Sequence, residues 1–161
     1  MILQMKTQSY YIVTIAVLLL IIIIGAYKFI ILGSTSTTED NRVVIHLDDK
    51  ERHIVLSEMR GFLKSVQIIT TGIATSDMQL VSDAARQSGN DAQRDIPASL
   101  VGKLPLDFKK LGFDTHSRFD QLALDAESFA DSQHTINQLS ELMKNCIACH
   151  EMFQFQQVSK Q

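Results

Sequence analysis

Acidic residues are absent from the first 38 positions of the chain, and charged residues of either sign are absent from Thr7 to Tyr27. From Glu39 onward the sequence holds all 18 acidic residues but only 13 of the 15 lysines and arginines. Nucleic-acid binding needs clustered basic side chains to meet the phosphate backbone, so the acidic part of the chain argues against that function. A basic protein partner suits this part better.

Cysteine and proline are scarce, with two residues of each in the whole chain. The cysteines are Cys146 and Cys149, and a disulfide between them would close too small a loop to stabilise a fold much. Alternation typical of a strand is missing except in the residues before Asp48, within the short stretch "RVVIHLDD". No internal repeat is present, and periods of three and four residues dominate, so the sequence predicts a helical domain.

One long apolar stretch runs from Tyr10 to Leu32, and Lys28 is its one charged residue. At 1.5 Å per residue, about 20 residues cross a hydrocarbon core about 30 Å thick. The stretch therefore predicts a single transmembrane anchor over residues 10–32, after a short tail over residues 1–9. A cleaved signal peptide is the alternative, because Lys6 supplies a positive start, although no A-x-A-like cleavage site follows. Both interpretations export the rest of the chain.

The remainder divides into a linker over residues 33–50 and a folded domain over residues 51–161. Apolar residues recur at helical spacing from Glu51 to Ser76, in a second helix capped by Asp77, in a third that begins near Pro105, and in a fourth from about Ser132. The stretch "LGF" is a potential interruption of the third helix, and both prolines fall in one long connection before it. We expect an all-α fold, an antiparallel four-helix bundle preceded by one transmembrane helix.

The stretch "NCIACHEMF" contains both cysteines, followed at once by His150. C-x-x-C-H is the attachment signature of c-type haem. Residues three and four positions apart lie on one face of a helix, so both thiols and the imidazole project from the same side of the fourth helix. The thiols can form thioethers with the haem vinyl groups while His150 reaches the iron.

Two other uses of the motif are a redox-active dithiol and a zinc site. A redox-active C-x-x-C is typical of a strand-to-helix junction, which a helical bundle does not offer. A zinc site needs a fourth ligand, and none of the other histidines is spaced as a second ligand pair. Those histidines are His46, His53, His116 and His134.

A second axial ligand must come from upstream, because 11 residues follow His150 and Met152 lies on the same helix. Met59 is the best candidate, since it lies on the apolar stripe of the first helix, although methionine at this spacing also fills cores. Leu63, one turn further on, would lie over the iron if Met59 does not bind. Weaker candidates are Met78 and His116.

These motifs give the chain from about Leu56 to Phe155 a resemblance to the class II c-type cytochromes, which are cytochrome c′ and its low-spin relatives. The resemblance is carried by "SEMRGFLKSVQ", "LPLDFKKLGFDTHSRFDQLA" and "LSELMKNCIACHEMF". It implies one haem c held by Cys146 and Cys149, with His150 as the proximal ligand. Met59 falls where low-spin members place an axial methionine, and Leu63 falls where high-spin members place a bulky distal residue.

The sequence departs from the family pattern in two places. High-spin members carry an arginine one turn before the distal residue, near a haem propionate, and here that position is Met59, with Arg60 beside it. Family members also often follow C-x-x-C-H with an aromatic residue and then an arginine, whereas here Phe153 is followed by Gln154. The first departure favours the low-spin interpretation, and Arg60 becomes the candidate for pairing with a propionate.

The resemblance and the anchor together predict an electron carrier rather than an enzyme. It would cross the bacterial inner membrane once, hold its haem domain in the periplasm and exchange electrons with redox proteins at the membrane. The alternative is a high-spin binder of small gases, nitric oxide or carbon monoxide, with an open or Leu63-shielded sixth site. The family likeness also implies a homodimer formed through the first helices of the bundle.

Overall fold

The structure, a computed structural model, describes residues 2–157, with side chains from Tyr10 onward. Most of these residues are helical, in six α-helices. The helices are α1 (Ile2–Tyr27), α2 (Asp49–Thr75), α3 (Met78–Arg86), α4 (Ala98–Lys103), α5 (Leu106–Phe129) and α6 (Ser132–Met152). A π-helical turn (Lys28–Leu32) extends α1, and a 3-10 turn (Asn90–Gln93) follows α3. The strands are β1 (Thr35–Thr37), β2 (Val43–Leu47) and β3 (Phe153–Gln157).

The apolar segment Tyr10–Leu32 lies in α1 and its π-helical extension. Its mean hydropathy is 2.9, and none of its residues is buried. Among the described residues, this is the one helix long and apolar enough to cross a membrane. The prediction of a helix of this length and apolar composition over residues 10–32 is confirmed.

Local side-chain caps set several helix starts where the sequence predicts them. Asp48 and Glu51 form a reciprocal capping box at the start of α2, with N–H to carboxylate distances of 3.0 Å in both directions. Asp77 accepts from the amide of Leu80 at the start of α3, as expected. Asp131 accepts from two amides at the start of α6, which begins at Ser132, the predicted position.

The stretch between α3 and α5 is more regular than the sequence indicates. The interruption expected at "LGF" is wrong, because α5 continues through Gly112 from Leu106 to Phe129. The long connection before it contains the 3-10 turn and the six-residue α4. Pro97 and Pro105 immediately precede α4 and α5, where their fixed φ angle is compatible with a helix start.

The larger hydrophobic core lies among α2, α3, α5 and α6. α3 packs against α2 and α5, and α6 packs against α5 and, less extensively, against α2. The approach of α2 to α3 is close at Gly72, where a Cβ would lie 2.7 Å from a methyl group of Val81. The fully buried centre of this core is formed by Ile69, Val81, Ala85, Phe119, Leu122 and Ala123.

A three-stranded sheet and a second core cluster lie at the other end of the domain, where the sequence predicts a linker over residues 33–50. β1 and β2 pair antiparallel, with Thr35 opposite Ile45. β2 and β3 pair in parallel, with Val43 opposite Phe153. The all-α prediction omits this sheet, because β3 has little alternation of its own and depends on a distant partner. The second cluster is formed by Ile45, Leu47, Val55, Leu100 and Phe153.

Candidate functional site

The C-x-x-C-H motif occupies the last two turns of α6, which ends at Met152. Cys146 and Cys149 are partly buried free thiols, and His150 is exposed. Cys146 packs against the larger core. Because the three side chains lie three and four positions apart on a regular helix, they project from one side of α6, as the sequence predicts.

Both thiols are held in their protonated form. Burial raises the pKa of Cys146, and burial together with the neighbouring Cys146 raises the pKa of Cys149 to about 11. A redox dithiol reacts as a thiolate, so these surroundings do not favour that use. Within residues 2–157, no group of three or more His, Cys, Asp or Glu side chains is placed to hold a metal ion.

The flank of α6 that faces α5 is polar. Asn145 Nδ2 donates to Asp114 Oδ2 at 2.7 Å, and the amide of Gln138 donates to Asp125. The opposite flank of α6 is turned away from α5, since these two polar residues fix the position of α5. That opposite flank carries Met143, Ile147 and His150.

α2 also has two distinct flanks. Phe62 stacks on Phe119 of α5, with ring centroids 5.5 Å apart, and Glu58 contacts His116 of the same helix. Met59 lies on the next flank, and helical spacing puts Leu63 and Val66 one and two turns beyond it. α2 also contacts α6, less extensively than it contacts α3.

Both α2 and α6 carry exposed apolar side chains, a set that we call the α2–α6 face. Leu63 is 71% exposed, Ile147 is 56% exposed and Met143 is 41% exposed. Apolar exposure grouped in this way marks a surface that binds another apolar group. The two thiols lie on the same helix as Met143 and Ile147, so the residues present fit a largely apolar prosthetic group attached through Cys146 and Cys149.

Two of the weaker axial candidates are engaged elsewhere. His116 is 3% exposed, its Nδ1 lies 2.8 Å from the carbonyl oxygen of Ser88, and its Nε2 lies 3.1 Å from Glu58 Oε1. Met78 contacts Thr135, fifteen positions before His150 and therefore about 22 Å away along α6. Neither the Met78 sulfur nor the His116 imidazole is available to an iron held by His150. Met59 therefore stays the candidate for the second ligand.

Met59 is partly buried and packs against the second core cluster. Arg60 is exposed beside it. Met59 therefore packs in a different cluster from Cys146, which packs against the larger core. In the sequence, Met143 and Ile147 look like core residues, because each directly follows a residue of the apolar stripe formed by Leu139, Leu142 and Cys146. In the structure both side chains are exposed.

Comparison with family models, curated proteins and solved structures finds no match to this chain. The residues and the geometry of the α2–α6 face therefore carry the functional argument.

Proposed function

We propose that the chain is a membrane-anchored cytochrome of the class II c type, with one haem c, that carries electrons. The observation that carries the proposal is the placement of the C-x-x-C-H motif. Both thiols project from one side of the last helix, which also carries the exposed apolar side chains Met143 and Ile147. In this proposal α2, α3, α5 and α6 are the four antiparallel helices of the bundle, and α6 is the motif-bearing one.

Each proposed role belongs to a particular side chain. Cys146 and Cys149 would hold the haem through thioether bonds: each thiol adds to one vinyl group, so its S–H bond and the π bond of the C=C are replaced by a C–S bond and a C–H bond, and nothing leaves. The imidazole of His150 and the thioether of Met59 would bind the iron. Arg60 pairs with a propionate at the border of the face. Bound haem c supplies a one-electron iron couple.

The apolar side chains of the α2–α6 face exclude water from this couple. Leu63 and Ile147 are the most exposed of them, so they have the most surface for a porphyrin to cover. Ligation by histidine and methionine raises a reduction potential and fills both axial positions. A protein so ligated passes electrons on and does not convert a substrate.

The proposed location follows from the apolar helix. With α1 crossing the bacterial inner membrane once, the domain from Glu39 onward lies in the periplasm, where covalent attachment of haem c takes place. Its proposed partners are redox proteins of the same membrane. The acidic character of the domain favours partners with basic docking surfaces.

The test is to produce the full chain in a host with haem-attachment machinery and to measure haem that survives denaturation. A variant with Cys146→Ser and Cys149→Ser is the matched control and should retain none. Failure of the unmodified chain to retain haem would overturn the proposal. Absorption spectra with and without carbon monoxide then separate the two functions: a low-spin, unresponsive spectrum supports the electron carrier, and a high-spin spectrum that shifts with the gas assigns the gas binder.

A further inference from the structure

The end of the membrane helix is docked on the domain through Lys109. Its Nζ donates to the carbonyl oxygens of Phe29 at 2.9 Å and Ile30 at 3.3 Å. The same nitrogen lies 5.6 Å from the centre of the Phe29 ring. The last carbonyls of a helix lack partners within it and carry partial negative charge, so an ammonium group placed there stabilises the helix end.

Two glycines allow the contact to be close. A Cβ on Gly102 of α4 would overlap the ring of Phe29. Gly33 has a φ angle of +65°, and a Cβ there would overlap the carbonyl oxygen of Lys103. That oxygen accepts from the amide of Ser34 at 2.8 Å. The junction between anchor and domain is therefore packed and hydrogen-bonded.

The sheet connects this junction to the C-x-x-C-H motif. β1 begins at Thr35, three positions after the apolar segment ends, and the strand order is β1-β2-β3. Two strand spacings place β3 about 10 Å from β1. β3 begins at Phe153, three positions after His150. The motif consequently lies at the same end of the domain as the exit of the membrane helix.

The opposite end of the domain is far from the junction. α5 begins at Leu106, next to Lys109, and its 24 residues extend about 36 Å to Phe129. Side chains of α1 from Tyr10 to Tyr27 are exposed, so the domain contacts the end of the membrane helix and not its length.

We propose that the junction is a rigid mount that keeps the C-x-x-C-H end of the domain next to the lipid headgroups. The partner that fits such a mount is an integral membrane protein whose redox centre lies at the same surface of the membrane. The electron exchange rests on the proposed function, whereas the orientation rests on the junction contacts alone.

Paramagnetic relaxation in lipid nanodiscs tests the orientation. Nitroxide labels are placed at Thr37→Cys, beside the junction, and at Ser128→Cys, near the far end of α5, and both positions are exposed. Lipids with a gadolinium-chelating headgroup are added, and each label is compared with and without gadolinium. We expect strong relaxation at position 37 and little at position 128. Equal relaxation at both positions overturns the mount. Stronger relaxation at position 128 than at position 37 also overturns it, and assigns a partner in solution.

Measuring the relaxation of the same two labels in the Cys146→Ser, Cys149→Ser protein reports the orientation of the domain without haem. Failure of haem attachment and failure of the mount are therefore separate outcomes.

Two variants test whether the junction contacts set the orientation. Lys109→Ala removes the donor to the helix carbonyls, and Gly102→Leu forces the Phe29 ring away. Lys110→Ala is the matched control, because Lys110 pairs with Asp107 on the surface and its side chain is 65% exposed. We expect the first two to lose at least half of the difference between the labels and the control to keep it. An unchanged difference in both, with helix content unchanged by circular dichroism, overturns the proposal.

Discussion

His116 Nε2 lies 3.1 Å from Glu58 Oε1 in the interior of the domain, while Nδ1 of the same ring faces the carbonyl oxygens of Ser88 and Gly89 at 2.8 Å and 3.1 Å. Carbonyl oxygens only accept, so Nδ1 carries a proton and donates. A second proton on Nε2 makes an ion pair with Glu58. The contact joins α5 to α2 and to the residues after α3.

This contact makes the stability of the domain depend on pH. Burial lowers the pKa of His116, but the hydrogen bond and charge of Glu58, with the carbonyl oxygens, raise it by more, so the pKa lies above its ordinary value of 6.5. A raised folded-state pKa gives stability that is fully present below pH 6.5 and is lost as the pH rises through the folded-state pKa. Denaturant unfolding of the full chain in detergent should show this fall. Glu58→Gln should remove most of it, and the exposed control Glu141→Gln should not; equal pH dependence in all three proteins would contradict the assignment.

Met59→Ala tests the sixth ligand. In the haem-loaded protein we expect the low-spin spectrum to become high-spin and carbon monoxide to bind to the reduced form, because the thioether no longer fills the axial position. Met152→Ala is the control, since Met152 is 42% exposed and lies on the same helix as His150. A low-spin spectrum that persists in Met59→Ala would show that Met59 fills the core and binds no iron.

Leu63→Ala tests whether the α2–α6 face is covered when haem is bound. In the haem-free Cys146→Ser, Cys149→Ser protein, an exposed side chain contributes little, and we expect a change within about 0.5 kcal/mol. In the haem-loaded protein the loss should be about 1–2 kcal/mol, because the side chain is then buried. Leu124→Ala is the control, as Leu124 is 48% exposed on α5. Equal losses from Leu63→Ala in the two forms would place the haem elsewhere.

Two glycines of α2 should respond in opposite directions to alanine. A Cβ on Gly72 would lie 2.7 Å from Val81 and 2.9 Å from the carbonyl oxygen of Asp77, so Gly72→Ala must separate α2 from α3. We expect a loss of about 1–3 kcal/mol in the free energy of unfolding. Gly61 has no atom within 4 Å of its built Cβ, so Gly61→Ala should stabilise by about 0.5–1 kcal/mol. Unfolding in denaturant measures both, and two changes of the same sign would contradict the packing.

The helix starts were predictable because their signals are local. Asp77 and Asp131 each accept from amides two or three positions further on, so a short window of sequence contains both partners. The spacing of Cys146, Cys149 and His150 is local in the same sense. The sequence therefore predicts that these three side chains share one side of a helix.

Long-range partners explain what the sequence did not predict. β3 needs β2 as a partner, and its alternation is limited to Phe153 and Phe155. Lys109 looks like an ordinary surface lysine in "LDFKKLGF", because the carbonyl oxygen of Phe29 that it binds is 80 positions away. The exposure of Leu63 likewise depends on the packing of α2 against α3 and α5, and therefore on the tertiary structure.

The parallel pair of β2 and β3 also sets the order in which the domain closes. Val43 lies opposite Phe153, 110 positions later. At a synthesis rate of about 5–20 residues per second, β2 exists for about 5–20 s before its partner strand is made. The sheet therefore closes last, and a contact between such distant positions is slow to form even afterwards. Until that contact forms, the end of α6 is not fixed by β3, which leaves the two thiols open to a modifying enzyme before the native fold is complete.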